Sequence, residues 1–195
     1  MAMQKHQINN MSELQTKYQN AIKFAAKKHA EKNQLITGTN LPYVVHLSNV
    51  AMEVLIASQK TEKFDTEFAI QVALLHDILE DTETTFDELA NEFGKEIAQG
   101  VLALTKNSNI PKEQRMNDSL NRIIELRKEI WVVKLADRIT NLQNPPEHWS
   151  LEKITDYQKQ AVLIHHSLKG GNEFLGNRLW EKMSDYLKYC VSDTK

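Results

Sequence analysis

Apolar residues along this chain recur almost everywhere at helical spacing. Leu14, Tyr18, Ala21, Ile22 and Ala25 fall at i, i+4, i+7, i+8 and i+11, one stripe of an amphipathic helix. That helix is expected to end in the loop Asn33 to Asn40, which carries Gly38, and Pro42 suits the first turn of a second helix reaching Ser58. Asp65 can cap a third helix carrying Phe68, Ala69, Val72, Ala73 and His76. Thr85-x-x-Glu88 reads as a capping box opening a short fourth helix that stops at Gly94, and Ile97, Val101 and Leu104 mark a fifth. A polar loop with Pro111 covers Asn107 to Asn117 and leads into a helix from Asp118. Ile130 to Ala136 (IWVVKLA) looks like a strand by itself. Its continuation through Val133, Asp137 and Asn141 is spaced i, i+4, i+8 up to Pro145-Pro146, which makes it a buried helix. Ser150 can cap the next helix, ending at Gly170-Gly171, and a last one runs from Asn172 to Cys190. The pattern predicts an all-α bundle of about eight or nine helices.

No repeat or linker divides the 195 residues, so residues 11–195 are expected to form one domain behind a flexible N-terminus, 1–10. Hydrophobic residues make up 41%, enough for a core. With 24 Lys+Arg against 26 Asp+Glu there is no basic footprint for nucleic acid. One cysteine, Cys190, excludes an internal disulfide and a thiolate zinc site. The polar N-terminus shows no signal peptide and no run is apolar enough for a membrane helix, so a cytoplasmic protein with no membrane partner is expected. A homodimer is compatible with the sequence.

The chemistry concentrates in His76-Asp77-Ile78-Leu79-Glu80-Asp81 at the end of the apolar run Val72 to Leu75. A His-Asp pair followed three residues later by Glu-Asp arises by chance on the order of 0.001 times per chain of this kind. Burying carboxylates costs several kcal/mol unless a cation or donors compensate them, and a divalent metal is the natural compensation. Adjacent residues cannot close a coordination sphere. His46 on the second helix and Asp137 on the IWVVKLA helix are each polar misfits, and with His76 and Asp77 they make a two-His, two-Asp set. Imidazole plus carboxylate suits Mn²⁺, Fe²⁺ or Zn²⁺.

The order P-Y-x-x-H, H-D-x-x-E-D-T and K-L-A-D-R-x-x-N-L resembles the hydrolase half of RelA/SpoT-type alarmone enzymes. It is closer still to the stand-alone small alarmone hydrolases of the Mesh type, in the HD phosphohydrolase superfamily. The likeness runs from Phe24 to Gly171. It implies an HD-domain helical bundle that holds one Mn²⁺ and removes the 3′-pyrophosphate from ppGpp or pppGpp. It assigns the metal to His46, His76, Asp77 and Asp137, and gives Glu80 and Asp81 the acidic pair that orients and deprotonates water. Asn141 and Tyr157 fall at substrate-contacting positions, Lys112 and Arg115 in a segment that can supply phosphate contacts. Lys27 stands where stand-alone members carry a base-stacking Arg, and the segment Gln34-Leu35-Ile36-Thr37 stands where long members have an Arg-Lys pair. The family's synthetase domain has no room in this length, so degradation without synthesis is expected. Two other readings compete: an HD-type phosphohydrolase acting on ppApp, NADPH or other nucleotides, and a helical binding module with a structural metal. Trp131, Trp149 and Trp180 are expected to be packing residues.

Overall fold

The computed structural model describes residues 2–191, with side chains from Ser12 to Val191. The side chains of the segment expected to be flexible, 1–10, therefore lie outside the described ones. The helices are α1 (Ala2–Glu31), α2 (Val44–Ser58), α3 (Thr66–Leu75), α4 (Ile78–Asp81), α5 (Phe86–Phe93), α6 (Lys95–Leu104), α7 (Arg115–Ile124), α8 (Lys128–Asn141), α9 (Leu151–Leu168) and α10 (Glu173–Tyr186). α4 is a single turn that the spacing did not announce. The rest correspond to the expected helices, except that α7 begins at Arg115, inside the expected loop 107–117, and α10 ends at Tyr186 and passes into a 3₁₀ turn, Leu187–Tyr189, short of Cys190. None among the described residues is long and apolar enough to cross a membrane.

α3 is apolar on nearly all sides because it is buried on nearly all sides. Phe68, Ala69, Ile70, Val72, Ala73, Leu74 and Leu75 are all buried, with α1, α2 and α8 packed around them. At roughly 1.5–3 kcal/mol for each fully buried large side chain, this helix anchors the bundle. α8 settles the IWVVKLA question in the same way. Ile130, Val132, Val133 and Leu135 are all buried. Burial on several faces overrides the strand leaning of its β-branched residues.

The expected caps are in place, with Asp65 accepting from Phe68 N, Thr85 from Glu88 N and Ser150 from Lys153 N, and the structure adds a fourth, Asn172 accepting from Leu175 N. Glu88 itself reaches across to Lys28 at 2.7 Å. Pro42 stands two residues ahead of α2, paired with Leu35 in an isolated antiparallel bridge. The bridge closes the loop between α1 and α2, so the proline sets the entry to the helix from outside it.

The turn before α10 packs tightly on α8. A Cβ on Gly171 would lie 2.8 Å from Trp131 Cβ, the root of a side chain that cannot swing aside. Gly171→Ala should cost about 1–3 kcal/mol by overpacking. A thermal melt checks this, with Tm expected to fall by several degrees; an unchanged Tm would show that the turn yields freely.

Candidate active site

The apolar packing of α2, α3 and α8 brings ligand atoms of His46, His76 and Asp77 within 4.8 Å of one another, a group that could hold a metal ion, and sets Asp137 beside both histidines. His46 comes from the first turn of α2, His76 and Asp77 from the break after α3, and Asp137 from the middle of α8. His46 is 3% exposed, His76 2% and Asp137 6%. His46 Nε2 and His76 Nε2 stand 3.4 Å apart. Asp137 Oδ1 lies 3.5 Å from the first and 3.6 Å from the second. Asp77 Oδ2 lies 2.9 Å from His76 Nε2 and 3.9 Å from His46 Nε2. Two histidines from separate helices thus aim the same ring nitrogen at the same pair of carboxylates.

Each ligand is held from behind. His76 Nδ1 is 2.8 Å from the Ala73 carbonyl and donates to it, which leaves Nε2 as the ring nitrogen that faces the cluster. Tyr43 OH donates to Asp77 Oδ2. Lys134 Nζ donates to Asp137 Oδ2 at 3.0 Å, and Asn141 Nδ2 donates to Oδ1. Burial opposes the charge on Asp77 and on Asp137. Even so, His76 beside Asp77 and Lys134 beside Asp137 hold both carboxyls below the ordinary range. Burial also opposes charge on His76, but Asp77 and Asp137 outweigh it and push the imidazole up to about 10. That field is what a divalent cation would meet. A buried mixed imidazole–carboxylate set with backed ligands fits such an ion.

The acidic pair lies on α4, one turn beyond Asp77. Glu80 accepts from Lys106 twice, Oε2 from the backbone N–H at 3.0 Å and Oε1 from Nζ at 2.7 Å. Burial works against the charge on Lys106, yet Glu80 raises its pKa. Asp81 Oδ2 accepts from Gln34 Nε2 at 2.8 Å. Burial first, then the nearby Asp77, lift the Asp81 pKa.

The remaining expected residues divide. Tyr157 on α9 lies beneath the Arg138 guanidinium, 4.1 Å from its ring centroid, with the Trp149 ring at 5.1 Å edge-on. Burial raises its pKa, while the Arg138 guanidinium over its ring works the other way. Asn141 stands one turn beyond Asp137, as its spacing required. Lys112 is exposed in a 3₁₀ turn, Lys112–Gln114, closing the loop that Lys106 opens. Arg115 instead holds that loop shut: its Nε donates to Ile110 O and its Nη2 to Ser108 O, both at 3.0 Å. Lys27 is exposed on α1, two residues before His29. Two residues turn a helix by about 200°, so Lys27 points away from the face on which His29 meets the site.

Two participants, Lys106 and His29, went unread in the sequence, and Gln34 was noted only as a departure from the family, without its contact to Asp81. Lys106 and Gln34 sit in loops and His29 at the end of an ordinary helix, and each touches the acidic pair or its neighbours only through tertiary contact. Among the tryptophans, Trp149 packs on Tyr157, Trp131 donates to Leu126 O at 3.1 Å, and Trp180 is exposed.

Helices that converge paired histidines and aspartates on one buried point define a helical hydrolase of the HD type. The chain belongs to the HD domain family, whose model matches residues 21–171. It is 35% identical over 163 residues to the guanosine-3′,5′-bis(diphosphate) 3′-pyrophosphohydrolase MESH1 of Danio rerio, covering 81% of this chain and 87% of that one. The Homo sapiens protein of the same name is 31% identical, with 82% and 88% covered. A solved structure of a metazoan ortholog of SpoT that hydrolyzes ppGpp and plays a role in starvation responses superposes with a TM-score of 0.76 at 26% identity, over 90% of this chain and 97% of that one.

Proposed function

We propose that this protein is a guanosine-3′,5′-bis(diphosphate) 3′-pyrophosphohydrolase, taking the 3′-pyrophosphate from ppGpp or pppGpp and leaving GDP or GTP. The observation that carries the reading is the pair Glu80–Asp81, placed one turn from a four-donor cluster. A purely structural metal has no use for two further carboxylates beside its ligands. The relatives named for this reaction support it over most of the chain.

His46, His76, Asp77 and Asp137 would hold one divalent ion, for which Mn²⁺ suits the mixed nitrogen and oxygen donors. Such an ion supplies an activated water at neutral pH and relieves phosphate charge. The protein's own groups do the rest. Glu80, oriented by two bonds from Lys106, takes the proton of the attacking water. Asp81 orients that water from the other side. Lys106 and the exposed Lys112 meet phosphate oxygens, where charge-assisted bonds are strongest. Asn141 steadies Asp137 and keeps its amide oxygen for the nucleotide, and Tyr157 lines the nucleotide side of the cleft.

Base selectivity is expected to be weak. Lys27 faces away on α1 and brings no planar guanidinium to stack on guanine. ppGpp and ppApp should be cleaved with kcat/KM values within about tenfold, or 1.4 kcal/mol. Competition kinetics with both substrates measure this, and a preference beyond a hundredfold would mean that another residue reads the base. Lys27→Ala should be silent in the same assay.

The reaction itself is tested by incubating Mn²⁺-loaded protein separately with ppGpp, ppApp and NADPH. GDP and pyrophosphate in equal amounts from ppGpp are expected. Orthophosphate from NADPH with no turnover of ppGpp would make the protein a nucleotide phosphatase instead.

A further inference from the structure

Gln34 joins two groups that the reaction scheme leaves unconnected. Its Nε2 stands 2.8 Å from Asp81 Oδ2, and its Oε1 stands 2.6 Å from His29 Nδ1. The polarity of this relay follows from Asp81. An ionised carboxylate only accepts, so the amide end facing it is the NH₂, and the carbonyl end faces His29. His29 Nδ1 therefore carries the proton and donates. Burial lowers the His29 pKa, in keeping with a neutral ring that has one N–H to give.

The backbone of Gln34 is fixed as firmly as its side chain. Its N–H donates to His29 O at 3.1 Å and its carbonyl accepts from Tyr43 N at 3.2 Å. Asn33, in the left-handed region at φ 52°, turns the chain into this position. The same loop presents Tyr43 to Asp77. The amide therefore cannot swing away from Asp81 without loosening the entry to α2. Asp81 Oδ1 has no hydrogen-bond partner among the described residues.

We propose that Gln34 is a positioning residue for Asp81, anchored by His29: it occupies Oδ2 and so offers Oδ1 to the reacting centre. A neutral amide suits this task because it orients the carboxylate while leaving it more basic than a cation in the same place would. The proposal rests on the hydrolase reading above, since it gives Asp81 a part in the chemistry.

Gln34→Met keeps the length of the side chain and removes both polar ends. We expect kcat to fall about ten- to a hundredfold, the usual range for a supporting partner, with KM within about twofold and metal content unchanged. Two comparisons separate positioning from mere loop stability. His29→Asn, whose amide nitrogen stands where Nδ1 stood, should keep most of the rate, and His29→Phe should lose as much as Gln34→Met. In an Asp81→Ala background, Gln34→Met should cost nothing further, because the two residues act as a unit. An unchanged kcat in Gln34→Met, or an equal loss with and without Asp81, would overturn the proposal. If Asp81→Ala alone is fully active, the catalytic role of the acidic pair falls with it. If Asp81→Ala is impaired and Gln34→Met is not, only the positioning role falls.

Discussion

His76→Ala should leave a folded protein that neither retains a divalent ion nor turns over ppGpp. The helix it ends is anchored by seven buried apolar residues, none of which the substitution touches. What it removes is the Nε2 that lies 3.4 Å from His46 Nε2 and 2.9 Å from Asp77 Oδ2. Loss of an outer partner alone typically costs 10- to about 100-fold in metal affinity or activity, and a ligand itself should cost more. Metal analysis of the purified variant should find less than about a tenth of the wild-type content, by that same reasoning. Circular dichroism should show the helices intact. Asp137→Ala is the less clean partner experiment. It leaves buried Lys134 without its carboxylate at 3.0 Å, and breaking such a pair costs about 3–5 kcal/mol in stability. Retention of metal and rate by His76→Ala would remove His76 from the ligand set.

Glu80→Gln should show the opposite combination, with metal retained and chemistry lost. The amide keeps the size of the side chain and can still accept from the Lys106 backbone N–H, which now lies 3.0 Å from Oε2. It cannot take a proton. A general base contributes about 10²–10⁴ in rate, so kcat should fall by that factor with little change in KM. Lys106→Met should fall less far, because it removes orientation and one cation while the base remains. If Glu80→Gln loses the metal, Glu80 is a ligand and the division of roles between α4 and the four-donor cluster is wrong.

The parts of this site legible in the sequence are those held by local rules. Helical spacing placed His46, His76 and Asp137 on separate apolar helices, and a polar residue on a buried helix face stands out in any chain. The caps at Asp65, Thr85 and Ser150 were readable for the same reason, since a side chain three residues from its backbone partner needs no tertiary information. Resemblance carried the rest, including the acidic pair and Tyr157. What stayed hidden depends on loops meeting helices far away in sequence. Lys106 lies 26 positions from Glu80, and Gln34 lies 47 from Asp81. Arg115 shows the converse. Its charge suggested phosphate, but the short loop from Lys106 needed donors for its own carbonyls, and the guanidinium went there. Lys27 was placed by motif alignment alone, and the turn of α1 carries it off the site.

The central claim is metal-dependent removal of pyrophosphate from the 3′ position of ppGpp. Its most direct test follows ppGpp by ion-exchange chromatography over time, with protein stripped by chelation and with the same protein reloaded with Mn²⁺. The reloaded protein should yield GDP and pyrophosphate in equal amounts and the stripped protein neither. Equal turnover in both samples, or orthophosphate in place of pyrophosphate, would contradict it.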